Sequence, residues 1–347
     1  MMELSTVREF LSRYDGPPCT LMEICGSHTA AIARLGLPSL LSPSIRLLSG
    51  PGCPVCVTPS AYIDRLCELA CTPGVCVVTF GDMLRVPGSE GNLQQSRAKG
   101  GQVRMVYAPF DLLSMAREEP DTLFIFAAVG FETTTPAYAL LLQALLDEKI
   151  DNVKLLTALK TMPPVVDRLL GQGANIDGFL APGHVCSVAG WDIFRPLAEK
   201  YQVPFAVAGF RGPELLVALY ALVKSLGQGK VMNLYPAAVE ESASPQTQAI
   251  IDRFFEPCEA VWRGLGPVPG SGRRLRAEFA RFDAGSDQCR EDRAANPGCC
   301  CGAVLTGKMR PVDCPLYGKA CTPLDPKGAC MVSEEGSCHQ YWINQRE

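Results

Sequence analysis

Gly50-Pro51-Gly52-Cys53-Pro54-Val55-Cys56 is the stretch from which the fold of this chain is read. It follows a short apolar run, Ile45, Leu47 and Leu48, and precedes a segment of helical pattern that begins near Pro59. Glycines and prolines between an apolar run and a helix make a tight strand-to-helix turn. Such turns are the joints of α/β folds, in which parallel strands alternate with helices. This turn also carries two thiols two residues apart at a helix start, where the aligned peptide dipoles stabilise a thiolate. Redox exchange and soft-metal binding are both open to such a pair.

The same pattern extends in both directions. Residues 20–24 form an apolar run ending in Cys25-Gly26-Ser27-His28, and 29–35 read as a helix. Further strands are expected over 75–80 and 103–107. A second series opens at 123–129, apolar throughout as a central parallel strand is, and runs into Gly130-Phe131-Glu132-Thr133-Thr134-Thr135-Pro136 before a helix over 137–147. Strands over 153–159, 176–180 and 203–207 alternate with helices starting at Pro163, Ser187 and Pro213. The middle of the chain therefore reads as a repeat of its first third: an α/β domain over 1–119 and a similar parallel-sheet α/β domain over 120–235, facing each other across a cleft. After about Met232 the pattern changes. A helix over 242–255, a Gly/Pro/Arg-rich stretch over 264–276 and a cysteine-dense tail read as a small cysteine-rich third module, 236–347.

At 347 residues the chain exceeds the ~250–300 at which single cores stop growing. Its net charge is −4 with no basic block, which argues against a nucleic-acid partner. No apolar run reaches the ~18 residues of a membrane span. Residues 1–15 read as an amphipathic helix with Leu4, Val7, Phe10 and Leu11 on one face, not as a signal peptide. A cytoplasmic protein is expected, and there 17 cysteines point to metal or redox chemistry more than to a disulfide framework.

Ligand sites in open parallel sheets lie beyond the carboxyl ends of the strands. Cys25/His28, Cys53/Cys56, Glu132 to Thr134 and His184 each follow an expected strand, so all four groups could line one cleft. Cys25 and His28, at i and i+3, suit an activated nucleophile or a soft metal ligand with a proton handler; the plainer reading is a buried cysteine and a surface histidine. Glu132 could equally be part of a capping loop, and His184 a structural loop histidine. Cys19, Cys67, Cys71, Cys76, Cys186 and Cys258 sit in or beside apolar segments and read mostly as core residues; Cys67 and Cys71, at i and i+4, are a weak metal signal.

The tail holds Cys289, Cys299, Cys300, Cys301, Cys314, Cys321, Cys330 and Cys338 among many prolines and glycines. With little room for an apolar core, a metal cluster is its natural staple. The paired CxxC spacing of zinc ribbons is absent, and four spread thiolates suit an iron–sulfur cluster at least as well as zinc. His339 could ligate either metal, though it reads better as a surface residue.

Taken together, Cys25-Gly26-Ser27-His28, the Gly50 to Cys56 turn, Gly130-Phe131-Glu132-Thr133-Thr134, Pro182-Gly183-His184 and the tail from Cys314-Pro315-Leu316-Tyr317-Gly318-Lys319-Ala320-Cys321 through Cys330 to Cys338 resemble the HypD family of hydrogenase maturation factors. The resemblance covers essentially the whole chain, in order. It implies two similar α/β domains and a third that holds a 4Fe-4S cluster. It further implies a scaffold for assembly of the Fe(CN)2CO group of nickel–iron hydrogenases, working with the small chaperone HypC and with HypE as cyanide donor. On the matching positions, Cys25 would bind transient iron carrying cyanide and carbon monoxide, together with a cysteine from HypC. Cys53 and Cys56 would be a redox-active dithiol, with His28 and Glu132 positioning or protonating the bound group and His184 at the same site. The family's C-x14-C-x6-C-x16-C spacing selects Cys299, Cys314, Cys321 and Cys338 as cluster ligands, which leaves Cys301 and Cys330 as a second dithiol between the cluster and Cys53/Cys56. Two departures stand out: Cys300 could compete as a ligand, and Cys186 occupies a place where serine is expected. A cluster-containing thiol–disulfide oxidoreductase is the main alternative, and a zinc-stapled binding module the third reading.

Overall fold

The computed structural model describes residues 3–289, 291–293 and 296–344. Met1 and Met2 of the first expected helix lie outside the described residues; the helix spans Leu4–Ser12 and buries Val7 and Leu11. Strands β1 (Cys19–Glu23), β2 (Ile45–Ser49), β3 (Val75–Thr79), β4 (Val103–Met105), β5 (Leu123–Gly130), β6 (Val153–Lys160), β7 (Gly178–Pro182), β8 (Phe205–Ala208), β9 (Val231–Asn233), β10 (Phe255–Trp262) and β11 (Gly266–Leu275) form two sheets. The first has the order β2-β1-β7-β8-β9 and is parallel throughout. The second has the order β10-β11-β6-β5-β3-β4, parallel from β6 to β4, with β10 and β11 added as an antiparallel hairpin. The fold is α/β.

Neither sheet follows the order of the chain. β1 pairs with β7 at Leu21↔Gly178, Met22↔Phe179 and Glu23↔Leu180, while β3 and β4 join β5 and β6. The division expected at 119 and 120 therefore does not separate the two sheets. An apolar run reveals that a strand is buried, but its neighbour is chosen by contacts distant in sequence. β5 shows the result: every residue after Leu123 is buried. Ile125, Ala127 and Val129 face the core that holds Tyr62 and Trp262, and Phe124, Phe126 and Ala128 face the one that holds Tyr138 and Phe254, as the two-residue strand period requires. Each fully buried phenylalanine contributes roughly 2–3 kcal/mol.

The Gly/Pro/Arg-rich stretch, expected as part of the third module, is strand β11 of the second sheet. Prolines are poorly tolerated inside sheets because they remove a ladder donor. β11 tolerates Pro267 and Pro269 because it pairs with β6 only at Gly272 and Arg273. The helix Pro245–Phe254 and the hairpin add Ile251, Phe254, Phe255 and Leu275 to the core of the second sheet. The region after 235 thus begins as part of that sheet's layer. Residues 296–344 are built differently, from the short helices Cys301–Leu305 and Ser337–Asn344 and single turns. Ser337–Asn344 packs against the helix Gly26–Arg34. Among the described residues no helix is long and apolar enough to cross a membrane.

Candidate functional site

Cys25 stands between β1 and the helix Gly26–Arg34, in extended conformation at φ −147° and ψ 120°. Two backbone hydrogen bonds join its loop to the Gly50–Cys56 turn: Gly26 N–H donates to Gly52 O at 3.0 Å, and Gly50 N–H to Glu23 O at 2.7 Å. A Cβ on Gly52 would lie 2.3 Å from Cys25 N. Only glycine lets the two loops approach this closely. Burial pushes the Cys25 thiol up to about 12, with Glu23 and Glu335 adding to it, against the N–H groups of His28 and Ser27. The resting thiol is protonated.

Glu23 is a site residue that the sequence reading passed over, since it lies inside an apolar strand. Its carboxylate is buried; Oε2 accepts the Cys25 N–H at 2.9 Å and Oε1 accepts the Thr29 hydroxyl. Burial raises it to about 7, held back by those hydrogen bonds. A lone charge at the end of an apolar run, two residues before a motif cysteine, was the available signal. From the tail, Glu335 Oε1 accepts the Ser27 hydroxyl at 2.9 Å.

His28 is fully buried, which overturns the surface-histidine alternative. Its Nε2 lies 3.2 Å from Ala208 O and 3.1 Å from Gly209 O. Carbonyls only accept, so these partners assign the hydrogen to Nε2. Burial lowers the ring to about 4, so at neutral pH Nδ1 is a bare lone pair, and it is buried without a partner. Phe210, also unforeseen, joins the two motif histidines: its ring centroid is 4.8 Å from that of His28 and 4.0 Å from the stacked His184. His184 itself is exposed.

Cys53 and Cys56 are joined as a disulfide, with Cα atoms 5.3 Å apart. Cys56 Sγ lies 4.0 Å from the carbonyl oxygen of Ala329, the residue before Cys330. The first dithiol therefore abuts the tail. There Cys299, Cys301, Cys330 and Cys338 form a row of neighbouring thiols, each close enough to influence the next, and Cys300 neighbours Cys314 in the same way. With Cys321 these thiols line one small cavity. Cys301 and Cys330 stand between two of the expected cluster ligands and are continuous with them. A Cβ on Gly328 would lie 2.6 Å from Cys299 Sγ and 2.9 Å from Cys301 Sγ, so the backbone closes over the sulfurs.

Among the described residues no set of three or more His, Cys, Asp or Glu is arranged to hold a single metal ion. A cavity walled by thiols instead matches the donor chemistry of an iron–sulfur cluster. Cys289 lies apart from this cavity, in the wall of another with Lys160 and Cys258. His339 Nδ1 lies 3.2 Å from Met331 O.

The hydrogen bond of Glu132 runs to the start of the helix after β6 and not to the Cys25 loop. Oε1 accepts the Met162 N–H at 2.7 Å while Oε2 is buried without a partner, and burial raises the carboxyl to about 7. It lines a cavity of about 220 Å³ with Thr161, Val188 and Arg273 whose wall does not include Cys25. Cys186, buried, is close enough to both Glu132 and Cys25 to feel each charge. Of the remaining cysteines, Cys19 and Cys76 are core residues as expected, while Cys71 is exposed at a helix end.

The comparisons bear on this arrangement as a whole. The HypD family model, described as "Hydrogenase formation hypA family", matches residues 4–345. The chain belongs to the HypD family. The hydrogenase maturation factor HypD of Rhodobacter capsulatus is 40% identical to it over 352 residues, covering 99% of this chain and 93% of that protein. HypD of Escherichia coli (strain K12) is 41% identical over 336 residues, covering 95% and 90%, and HypD of Azotobacter vinelandii is 41% identical over 339 residues, covering 94% and 89%. As a HypD family member the chain is a hydrogenase maturation factor.

Proposed function

We propose that this maturation factor is a cytoplasmic scaffold on which the Fe(CN)2CO group of nickel–iron hydrogenases is assembled, in complex with a HypC-type chaperone and with cyanide supplied by a HypE-type donor. The observation that carries this reading is the continuity of three sulfur groups. Cys25 is packed on Gly52, the Cys53–Cys56 disulfide follows Gly52, and Cys56 touches the turn that carries Cys330. Cyanide and carbon monoxide make low-spin Fe(II), and thiolates are soft anchors suited to hold it. Cys25 is the anchor in this chain and the partner supplies a second thiolate. The bare Nδ1 of His28 is a proton acceptor one helical turn away; Glu132 and His184 shape the surroundings.

Cys299, Cys314, Cys321 and Cys338 would hold a 4Fe-4S cluster, which when bound supplies one-electron transfer. Cys301 and Cys330, as a dithiol, can reduce the neighbouring Cys53–Cys56 disulfide by exchange. Two electrons and two protons move to Cys53 and Cys56, and the Cys301/Cys330 pair is left oxidised.

The test is infrared spectroscopy of protein purified without oxygen after coexpression with its HypC- and HypE-type partners. Bands of iron-bound cyanide and carbonyl are expected in the parent and lost in Cys25→Ala, with the tail's visible absorbance retained. If Cys25→Ala keeps the bands, the anchor is misassigned. The contact of the disulfide with the tail also favours a second reading, an oxidoreductase acting on a partner's disulfide. Turnover of a disulfide substrate by protein that lacks the infrared bands supports that reading instead.

A further inference from the structure

Lys160 ends β6 and is only 2% exposed, yet it has no part in the site above. The register sets it opposite Gly272 on β11, and Gly272 opposite Cys258 on β10. Directly opposed residues project from the same face of a sheet, so Lys160, Gly272 and Cys258 form one row whose middle member has no side chain. With strands about 4.8 Å apart, the outer Cα atoms lie about 10 Å apart, a span that an extended lysine and a leaning cysteine can close. The cysteine does lean: a Cβ on Gly272 would lie 3.0 Å from Cys258 Sγ. Both side chains line a cavity of about 60 Å³. Burial brings the Lys160 amine down to about 7, partly offset by Cys258 and Asp292 and reinforced by Arg263. A large share of it is therefore unprotonated and nucleophilic at neutral pH.

We propose that Lys160 and Cys258 are a peroxide-sensitive pair that closes into a covalent lysine–cysteine cross-link over Gly272. The partly exposed Cys258 sulfur attacks hydrogen peroxide; an S–O bond forms, the O–O bond breaks and water leaves, so the thiol is oxidised by two electrons to a sulfenic acid. The Lys160 nitrogen then attacks that sulfur; an N–S bond forms, the S–O bond breaks and a second water leaves. Thiol and amine each give up one hydrogen, and one peroxide becomes two waters. The bond fastens β10 to β6 across β11, so the hairpin can no longer peel from the second sheet.

The experiment treats the full chain, prepared without oxygen, with one equivalent of hydrogen peroxide. It maps the peptides by mass after digestion with proteases that do not need Lys160. A linked pair of peptides holding Lys160 and Cys258, two hydrogens lighter than their sum and separated again by dithiothreitol, is the expected result; it is absent in Cys258→Ser and accompanied in the parent by a higher midpoint of thermal unfolding. A Cys258 found unmodified, as sulfinic acid or in a disulfide, with Lys160 unlinked, overturns the proposal. The parent's own peptide map decides the matter, whether or not a Lys160→Arg variant folds.

Discussion

Two sulfur sites lie in contact in this molecule and are built in opposite ways. Cys25, Cys53 and Cys56 sit on loops between parallel strands and helices, fixed by the Gly26–Gly52 and Gly50–Glu23 backbone bonds and by the close approach at Gly52. The tail thiols sit on short helices and turns and line one cavity together. The first site is positioned by the fold. The second is carried on short helices and turns, whose Val304, Leu305, Met331 and Val332 pack into the core that also holds Met22 and Val55, and on the proposed function a bound cluster would add to its order. On the proposed function, the state of a cluster in the tail would be felt at the disulfide through Ala329 and Cys330.

The largest expected effect tests the rigid half. Gly52→Ala forces a Cβ into the Cys25 backbone, and the two loops must part; a loss of more than about 2 kcal/mol in urea unfolding is expected, together with loss of the infrared bands. A Gly52→Ala protein of parent stability breaks the contrast from that side.

On the proposed function the tail holds iron, and stripping it with a chelator under reducing conditions tests the other half. Limited proteolysis should then cut within 296–344 while far-ultraviolet dichroism of the sheets is kept. Cleavage spread evenly over the chain would show that the tail is no less self-supporting than the sheets.

Glu23→Ala leaves the buried Cys25 N–H without its acceptor and the Thr29 hydroxyl with only the Cys25 carbonyl at 3.3 Å, at a cost of about 2 kcal/mol. An unchanged unfolding midpoint would remove Glu23 from the anchoring of Cys25.

Glu132→Gln gives the smallest effect and a defined sign. The folded carboxyl is raised from 4.5 to about 7 by burial, so its contribution is full below the unfolded value and is lost as pH rises through about 7. Glutamine does not titrate. The variant should match the parent near pH 4 and gain about 1–2 kcal/mol above neutrality, less than the full shift because Glu132 is partly exposed. A constant difference across that window would mean the carboxyl is not buried in its charged form.

Much of the local architecture was legible: β1 to β8 fall within a few residues of the expected runs because apolar continuity and Gly/Pro punctuation are local signals. The motif residues at the ends of β1, β5 and β7 were legible for the same reason. Glu23 and Phe210 were not, since one is hidden in an apolar strand and the other acts through rings from distant loops. The β11 strand was masked by its own prolines and glycines, whose backbone cost is met by a hairpin and a two-residue attachment to β6.

By itself, then, the sequence determined the alternation of strands and helices, the strand-end placement of Cys25, Cys53, Glu132 and His184, and the gathering of thiols in the tail, because these depend on residues near one another in the chain. Only the tertiary structure decided that β1 lies beside β7, that Glu132 lines a cavity whose wall does not include Cys25, and that Cys56 touches the Cys330 turn. The strand pairing and the Cys56 contact join residues far apart in the chain, such as Leu21 with Gly178 and Cys56 with Ala329, and their free energy comes from burial and hydrogen bonds that exist only once both sheets and the tail have packed together.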